Sequence, residues 1–259
     1  MRKEQDTLGE VLVPKDALYG AQTVRALQNF PISGRHPHPA LIRALLRIKA
    51  AAASANHESG TLSAPLSKSI VETVEELIKL PTKEWEEIFP VDPYQAGAGT
   101  SQNMNVNEVI ANHANRKAGK PLGAYSPLHP NDHVNQSQST NDVFPTAMRL
   151  ALLEVSSELV RELELLSEAF AKKAAAWRDI PKAARTHLQD AVPMRLGQEI
   201  GAYAATLARC AGWIGDSRGG LRQLGIGGSA AGTGLNVPKG YGPAITRMIP
   251  SSSSSWSII

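Results

Sequence analysis

Residues 145–177 read PTAMRLALLEVSSELVRELELLSEAFAKKAAAW, and this stretch decides the fold class. Its apolar residues recur at the intervals of three, four or seven that place side chains on one face of a helix. These residues are Leu152, Leu153, Val155, Leu159, Val160, Leu166 and Phe170. The pattern predicts one unusually long amphipathic helix, because strands would show an alternation of period two.

Helical periodicity also occurs on both sides of this stretch. Upstream it covers residues 41–55 and 66–80, after which Pro81, Pro90 and Pro93 interrupt the chain. Downstream a second long helix is expected from about Pro193, and a third short one after Gly240. The apolar face of the second long helix consists of Leu196, Ile200, Tyr203, Leu207 and Ile214.

These segments predict an all-α protein, since alternation typical of strands is scarce along the chain. We expect an N-terminal helical domain followed by the first part of a long central helical bundle. A boundary near Ser139 divides the chain into domains 1–138 and 139–248. Residues 249–259 are rich in serine and lack helical periodicity, so they are expected to form a tail.

Composition and charge exclude several classes of protein. The chain has 259 residues, with 27 Lys and Arg against 24 Asp and Glu, and this balance lacks the strong positive field of a nucleic-acid binder. It contains no apolar run of the length that a membrane span needs, and one cysteine, Cys210, cannot form an internal disulfide. Residues 1–10 do not resemble a secretory signal, so a cytoplasmic protein is expected.

Residues 97–105, GAGTSQNMN, form the first of three polar segments that precede predicted helices. Glycines let the backbone approach a ligand, while Thr100 and Ser101 supply hydroxyl groups. The N-terminus of a helix favours an anion through its free N–H groups and its dipole. The segment therefore predicts an anion site, although for Thr100 alone an ordinary N-cap is the better explanation.

Residues 137–142, SQSTND, form the second polar segment, ahead of the long helix. A cap needs only one polar side chain, and the surplus of uncharged donors is what a bound carboxylate would use. Asp142 is interpreted as the structural cap. Just upstream, residues 129–133, HPNDH, are explained as a surface turn by the usual positions of Pro, Asn and Asp.

Residues 185–190, RTHLQD, form the third segment, which is expected in the N-terminal region of the second long helix. His187 is the candidate for proton transfer, and a purely structural histidine is the alternative. The glycine-rich residues 225–234 lack the preceding strand of a dinucleotide-binding unit. Neither a metal site nor a nucleotide site is predicted, because no ligand spacing or phosphate-loop motif occurs.

These segments resemble the signatures of the aspartase/fumarase superfamily. The resemblance runs from about Asp6 to Asn236 and covers nearly the whole chain except the last dozen residues, so the serine-rich tail 249–259 is expected to lie outside it. It is carried by residues 19–23, 97–100, 105–108, 129–135, 138–142, 185–190 and 232–236. Members are homotetramers in which each active site gathers segments from three subunits. They eliminate ammonia or water from a C4 dicarboxylate, through an aci-carboxylate, to give fumarate, and the resemblance implies no cofactor.

The resemblance implies a role for each matching residue. Residues that would bind the substrate carboxylates and its amino or hydroxyl group are Ala98 and Gly99, through their backbone, with Thr100, Ser139, Thr140 and Asn141. Thr186 and His187 would contact the other end of the substrate, with His187 as the catalytic candidate. His129, Pro130, Asn131 and Asp132 resemble a second, non-catalytic dicarboxylate site of fumarases.

One signature of the superfamily is missing from the 259 residues. It is a flexible loop with paired serines followed by Met-Pro, Lys and Asn, which supplies the catalytic base and a carboxylate-binding lysine. We therefore expect a C-terminally shortened chain that lacks activity as written. The motifs favour L-aspartate as substrate over L-malate, and argininosuccinate or adenylosuccinate cleavage has less support. The alternative of another class is a non-catalytic helical protein that associates with intact subunits.

Overall fold

The computed structural model describes residues 1–249 and the backbone of residues 257–258. The chain packs as two compact units. The first unit comprises Met1–Ala151 and the segment that begins at Arg222, and the second comprises Leu152–Leu221. The boundary between these packing units lies inside the long helix, between Ala151 and Leu152. The expected domains 1–138 and 139–248 stay a prediction.

Eight α-helices dominate the described residues, and the helical fold class is confirmed. They are α1 (Ala21–Asn29), α2 (Pro39–Glu58), α3 (Ala64–Lys79), α4 (Thr82–Ile88), α5 (Thr100–Lys117), α6 (Thr140–Ala176), α7 (Leu196–Ser217) and α8 (Tyr241–Met248). The expected helices at 41–55 and 66–80 are α2 and α3, and the long one is α6. None of the described helices is long and apolar enough to cross a membrane.

Helix α4 forms where the sequence analysis placed only an interruption of the chain. Pro81 precedes the helix at its N-cap position. Proline disrupts a helix only in its interior, because the first residues of a helix need no N–H partner. Trp85 then anchors α4, since its ring is buried and its Nε1 donates to the carbonyl of Leu77 at 2.8 Å.

Helices α2, α3, α5 and α8 supply the core of the first unit. Each of its fully buried large aliphatic side chains contributes about 1.5–3 kcal/mol relative to an exposed one. They include Leu45, Leu46 and Ile48 of α2, Ile70 and Leu77 of α3, Val109 and Ile110 of α5, and Ile245 of α8. Because α8 joins this core, the segment from Arg222 onwards belongs to the first unit.

Three short strand pairs accompany the helices. They are the antiparallel hairpins β1 (Arg2–Asp6) with β2 (Gly9–Val13) and β3 (Pro181–Thr186) with β4 (Gln189–Arg195), and the parallel pair β5 (Gln223–Leu224) with β6 (Ser257–Ile258). The sequence analysis missed these hairpins. The side chains of β3 and β4 are mostly exposed, so burial imposes little alternation on their sequence.

Helix α6 begins at Thr140, five residues before the predicted start at Pro145. The hydroxyl of Ser139 accepts the N–H of Asn141 at 3.2 Å, and Oδ1 of Asp142 accepts the N–H of Ser139 at 2.9 Å. This reciprocal pair is a capping box, which satisfies N–H groups at the start of a helix. Ser139 is therefore the cap, and Asp142, interpreted as the cap, is its reciprocal partner.

The expected serine-rich tail, residues 249–259, lies outside the described residues except at Ile249 and in the backbone of β6. Ile249 is buried in the core of the first unit.

Candidate functional site

The first polar segment turns into α5 through Gly99. Gly99 has a φ of 81° and occupies the N-cap position, and a Cβ on it would lie 2.3 Å from the ring of Phe144. Only glycine fits both constraints. Thr100 is therefore the first helical residue, and its interpretation as an N-cap is wrong. Ala98 and Thr100 are exposed at a helix N-terminus, where backbone dipoles favour an anion.

The second polar segment lies beside the first. Nδ2 of Asn103, in the first turn of α5, donates to Oγ1 of Thr140 at 3.1 Å. Thr140 is half-buried, whereas Asn141 is exposed and donates through Nδ2 to the carbonyl of Ala230 at 2.8 Å. The structure thus brings together the N-termini of α5 and α6, and with them the hydroxyl and amide donors that the sequence analysis selected.

The glycine-rich residues 225–234 fold onto the start of α6. Oδ2 of the buried Asp142 accepts the N–H groups of Gly227 and Ser229, both at 3.0 Å. A close approach of this kind suits small residues, and a Cβ on Gly227 would lie 2.8 Å from the backbone of Gly242. This role was not predicted from the sequence, although a glycine run without a nucleotide motif indicates a tightly folded backbone.

Residues 129–133 lie in a short, partly buried π-helical turn, Pro130–Val134, in which His129 occupies the N-cap position. Nδ1 of His129 accepts the N–H groups of Asn131 at 3.3 Å and Asp132 at 3.2 Å, and Pro130 is buried. The interpretation as a surface turn is confirmed only for Asn131 and Asp132, whose side chains are exposed.

A cavity of about 610 Å³ lies in the first unit beside this turn. Its lining includes Thr100, Ser101, Tyr125, His129 and Asn131. The structure therefore combines Thr100 of the first polar segment with the residues of the expected second dicarboxylate site. Burial, and then the nearby Glu108 and Glu4 carboxylates, raise the pKa of Tyr125, so its hydroxyl keeps its proton.

The third polar segment is not at a helix N-terminus, and that prediction is wrong. It forms the end of the β3–β4 hairpin, where Thr186 pairs with Gln189 and where His187 and Leu188 have φ values of 47° and 62°. Two central residues with positive φ fit the tight turns that join twisted antiparallel strands. Thr186 and His187 are exposed, and both belong to the second unit.

A buried lysine behind the two polar segments was missed. Lys49 lies on α2, and its Nζ donates to Oδ1 of Asn135 and Oε1 of Gln138, both at 2.9 Å. Its sequence signal is a single charge in the otherwise apolar run 48–53, IKAAAA. A lysine is almost never fully buried unless it is paired.

Within the described residues, no group of three or more His, Cys, Asp or Glu side chains is placed to hold a metal ion.

Comparison with known proteins decides the family. A family model described as Lyase matches residues 9–255 of the chain. An aspartate ammonia-lyase from Bacillus sp is 47% identical over 95% of this chain and 52% of its own length. A class II fumarate hydratase from Chlamydia trachomatis is 50% identical over 93% of this chain and 52% of its own length.

The chain belongs to the aspartase/fumarase superfamily of lyases. Solved structures agree with this assignment. A fumarate lyase:delta crystallin protein from Brucella melitensis has a TM-score of 0.87 at 42% identity, and the match covers 98% of this chain and 56% of that one. A class II fumarase from Schistosoma mansoni has a TM-score of 0.85 at 35% identity, with 99% and 56% covered.

The chain spans about half the length of the relatives that it matches. The match to the family model runs to residue 255, beyond the likeness to about Asn236 that the motifs showed, and it enters the expected serine-rich tail. Ammonia-lyases and hydratases both occur among the relatives, so the superfamily includes two different elimination reactions.

Proposed function

We propose that the starts of α5 and α6 bind a C4 dicarboxylate for a lyase reaction that yields fumarate. The observation that carries this proposal is the pairing of two helix N-termini through Asn103 and Thr140. Each helix start adds uncharged donors, namely Thr100 on α5 and Thr140 and Asn141 on α6. Such a cluster stabilises an anion without requiring a cation.

In the proposed reaction a proton leaves the carbon beside one carboxylate, which becomes an aci-carboxylate. The extra negative charge of that group creates the barrier. Fixed N–H and O–H donors that point at the carboxylate stabilise the transition state more than the ground state, because the charge is greatest there. The backbone of Ala98 and Gly99 and the hydroxyl of Ser139 complete the proposed set.

Thr186 and His187 are proposed to contact the other end of the substrate, with His187 as the proton-transfer group. Their exposure at the end of a hairpin suits residues that reach into an active site shared between subunits, as in the superfamily. His129, Pro130, Asn131 and Asp132 are proposed as a second, non-catalytic dicarboxylate site, supported by the cavity that three of them line.

L-Aspartate is the proposed substrate, and elimination of ammonia is the proposed reaction. The 47% identity with an aspartate ammonia-lyase supports it. The second candidate is L-malate with loss of water, which the 50% identity with a class II fumarate hydratase favours. A homotetramer in the cytoplasm, acting without a cofactor, completes the proposal.

Binding of succinate tests the site, because succinate has both carboxylates and cannot undergo the elimination. We expect Thr140→Val to weaken succinate binding by about tenfold, since a hydrogen bond to a charged group contributes about 1.5–3 kcal/mol. Thr146→Val is the matched control, because Thr146 lies on the same helix with a buried hydroxyl outside the proposed site. Equal affinity in the Thr140→Val variant, or no binding by the wild-type chain, contradicts the proposal.

The substrate is tested by calorimetric affinities for L-aspartate and L-malate and by the ultraviolet absorbance of fumarate. Preferential binding of L-aspartate, or fumarate formed from it alone, supports the ammonia-lyase. Binding of L-malate without L-aspartate, or fumarate from L-malate alone, assigns the chain to the hydratases instead.

A further inference from the structure

Lys49 lies behind the proposed dicarboxylate site, and its ammonium group contacts polar side chains. Its side chain is buried, and its Nζ donates to one amide oxygen on each of Asn135 and Gln138. Burial lowers the pKa of Lys49 to about 7, and the negative charge of Asp142 on α6 opposes this shift. The groups that hydrogen-bond to Lys49 are neutral amides, so Asp142 is the facing charge.

An ammonium group has three donors and no acceptor. Asn135 must therefore turn its oxygen towards Lys49, and this oxygen also accepts Nδ2 of Asn103 and Nδ2 of Asn107, both at 3.2 Å. The Oδ1 atoms of Asn103 and Asn107 are buried without a partner among the described residues. Their amides keep this orientation because the opposite one would set oxygen against the oxygen of Asn135.

The side-chain amide of Asn103 links this network to the proposed site. The same Nδ2 that contacts Asn135 also donates to Oγ1 of Thr140 at 3.1 Å. Because the hydroxyl oxygen of Thr140 accepts a hydrogen bond from Asn103, the hydroxyl proton of Thr140 points away from Asn103. Because Thr140 is half-buried at the N-terminus of α6, that proton is available to a ligand carboxylate.

We propose that Lys49 is a positioning residue that, through Asn135 and Asn103, orients the Thr140 hydroxyl as a donor to the dicarboxylate. The inference rests on the proposed function, because it names how one donor of that same site is set. Lys49 does not touch the ligand. Its cationic form enforces the orientation most strongly, since charge-assisted hydrogen bonds are about twice as strong as neutral ones.

A pH dependence follows. Below about pH 7 Lys49 is an ammonium and can only donate. As the pH rises through 7 it becomes an amine with a lone pair, so the constraint on Asn135 relaxes and one positive charge near the site is lost. We expect succinate affinity to fall by about fivefold across this range.

The first measurement is calorimetric affinity for succinate at about pH 6 and about pH 8, on either side of the Lys49 pKa. Lys49→Met is expected to weaken binding by about tenfold at the lower pH and to remove the pH dependence. Lys49→Arg, which stays charged, is expected to retain binding and lose the pH dependence. Lys68→Met on the exposed surface of α3 is the control for the loss of one charge. Protonation of succinate itself affects all variants equally, so it cancels when they are compared with the wild type.

The second measurement needs no ligand. In nitrogen-15 spectra of the side-chain amides, the signals of Asn103 and Asn135 are expected to shift with a midpoint near pH 7 in the wild type and to stay constant in Lys49→Arg. This titration tests the link between Lys49 and the two amides even if Lys49→Met fails to fold. Amide signals that ignore pH overturn the inference although succinate binds. Titrating amides with no succinate binding overturn the proposed function and, with it, the role of Thr140 as a ligand donor.

Discussion

Asp142 joins the start of α6 to the glycine-rich residues 225–234. Its two oxygens accept N–H groups from Ser139 on one side and from Gly227 and Ser229 on the other. Asp142→Asn replaces one oxygen by a donor, which leaves at least one part-buried N–H group without an acceptor. We expect the free energy of unfolding to fall by about 1–3 kcal/mol, as measured by urea denaturation.

The control is Asp132→Asn, the same substitution at a side chain that is 75% exposed. It should change the free energy of unfolding by no more than about 0.5 kcal/mol. Equal losses in the two variants would show that charge, and not the pairing of Asp142, is responsible.

At the scale of elements, the β3–β4 hairpin depends on its two-residue loop. Leu188 has a φ of 62° and is 92% exposed, so its side chain strains the backbone without packing. Leu188→Gly is expected to raise the free energy of unfolding by about 0.5–1 kcal/mol, because glycine adopts positive φ without steric cost. Thermal and urea unfolding measure the gain.

The matched control is glycine one position later, within β4. Gln189→Gly is expected to lower the free energy of unfolding, since glycine weakens a strand. Destabilisation by Leu188→Gly would contradict the turn geometry, whatever Gln189→Gly does.

At the scale of the whole molecule, the second unit exposes apolar side chains along α6 and α7. Leu159 is 50% exposed, Leu166 is 47% exposed and Trp213 is 65% exposed. Patches of this kind mark protein interfaces. We expect light scattering to give four times the chain mass of 27.7 kDa, and Leu159→Glu with Leu166→Glu to reduce that mass.

Lys172→Glu, an exposed change on another face of α6, is the control and should leave the mass unchanged. A wild-type chain that remains monomeric at high concentration contradicts the proposed homotetramer. Mixed oligomers with an intact homologous lyase would instead support the association of a non-catalytic chain.

The sequence by itself determined most of the longer helices, because a helix face is a local pattern of three- and four-residue intervals, whereas the short helices α1 and α4 were not predicted. Residues 145–177 alone predicted most of α6, and the polar residues before α5 and α6 marked the two helix starts. The sequence did not predict the hairpin around His187, since its exposed strands carry no alternation. It also mistook the roles of Thr100 and Asp142, because a cap is defined by backbone conformation that composition does not report.

Only the tertiary structure decided which polar groups meet. Asp142 contacts backbone 85 and 87 positions away along the chain, and Lys49 contacts side chains 86 and 89 positions away. No local period encodes such pairs, because they arise when separate helices pack on one core. Burial then determines the chemistry of the paired groups. An ammonium in water is one more surface charge, whereas the buried Lys49 is proposed to orient the amides of Asn135 and Asn103 and the hydroxyl of Thr140.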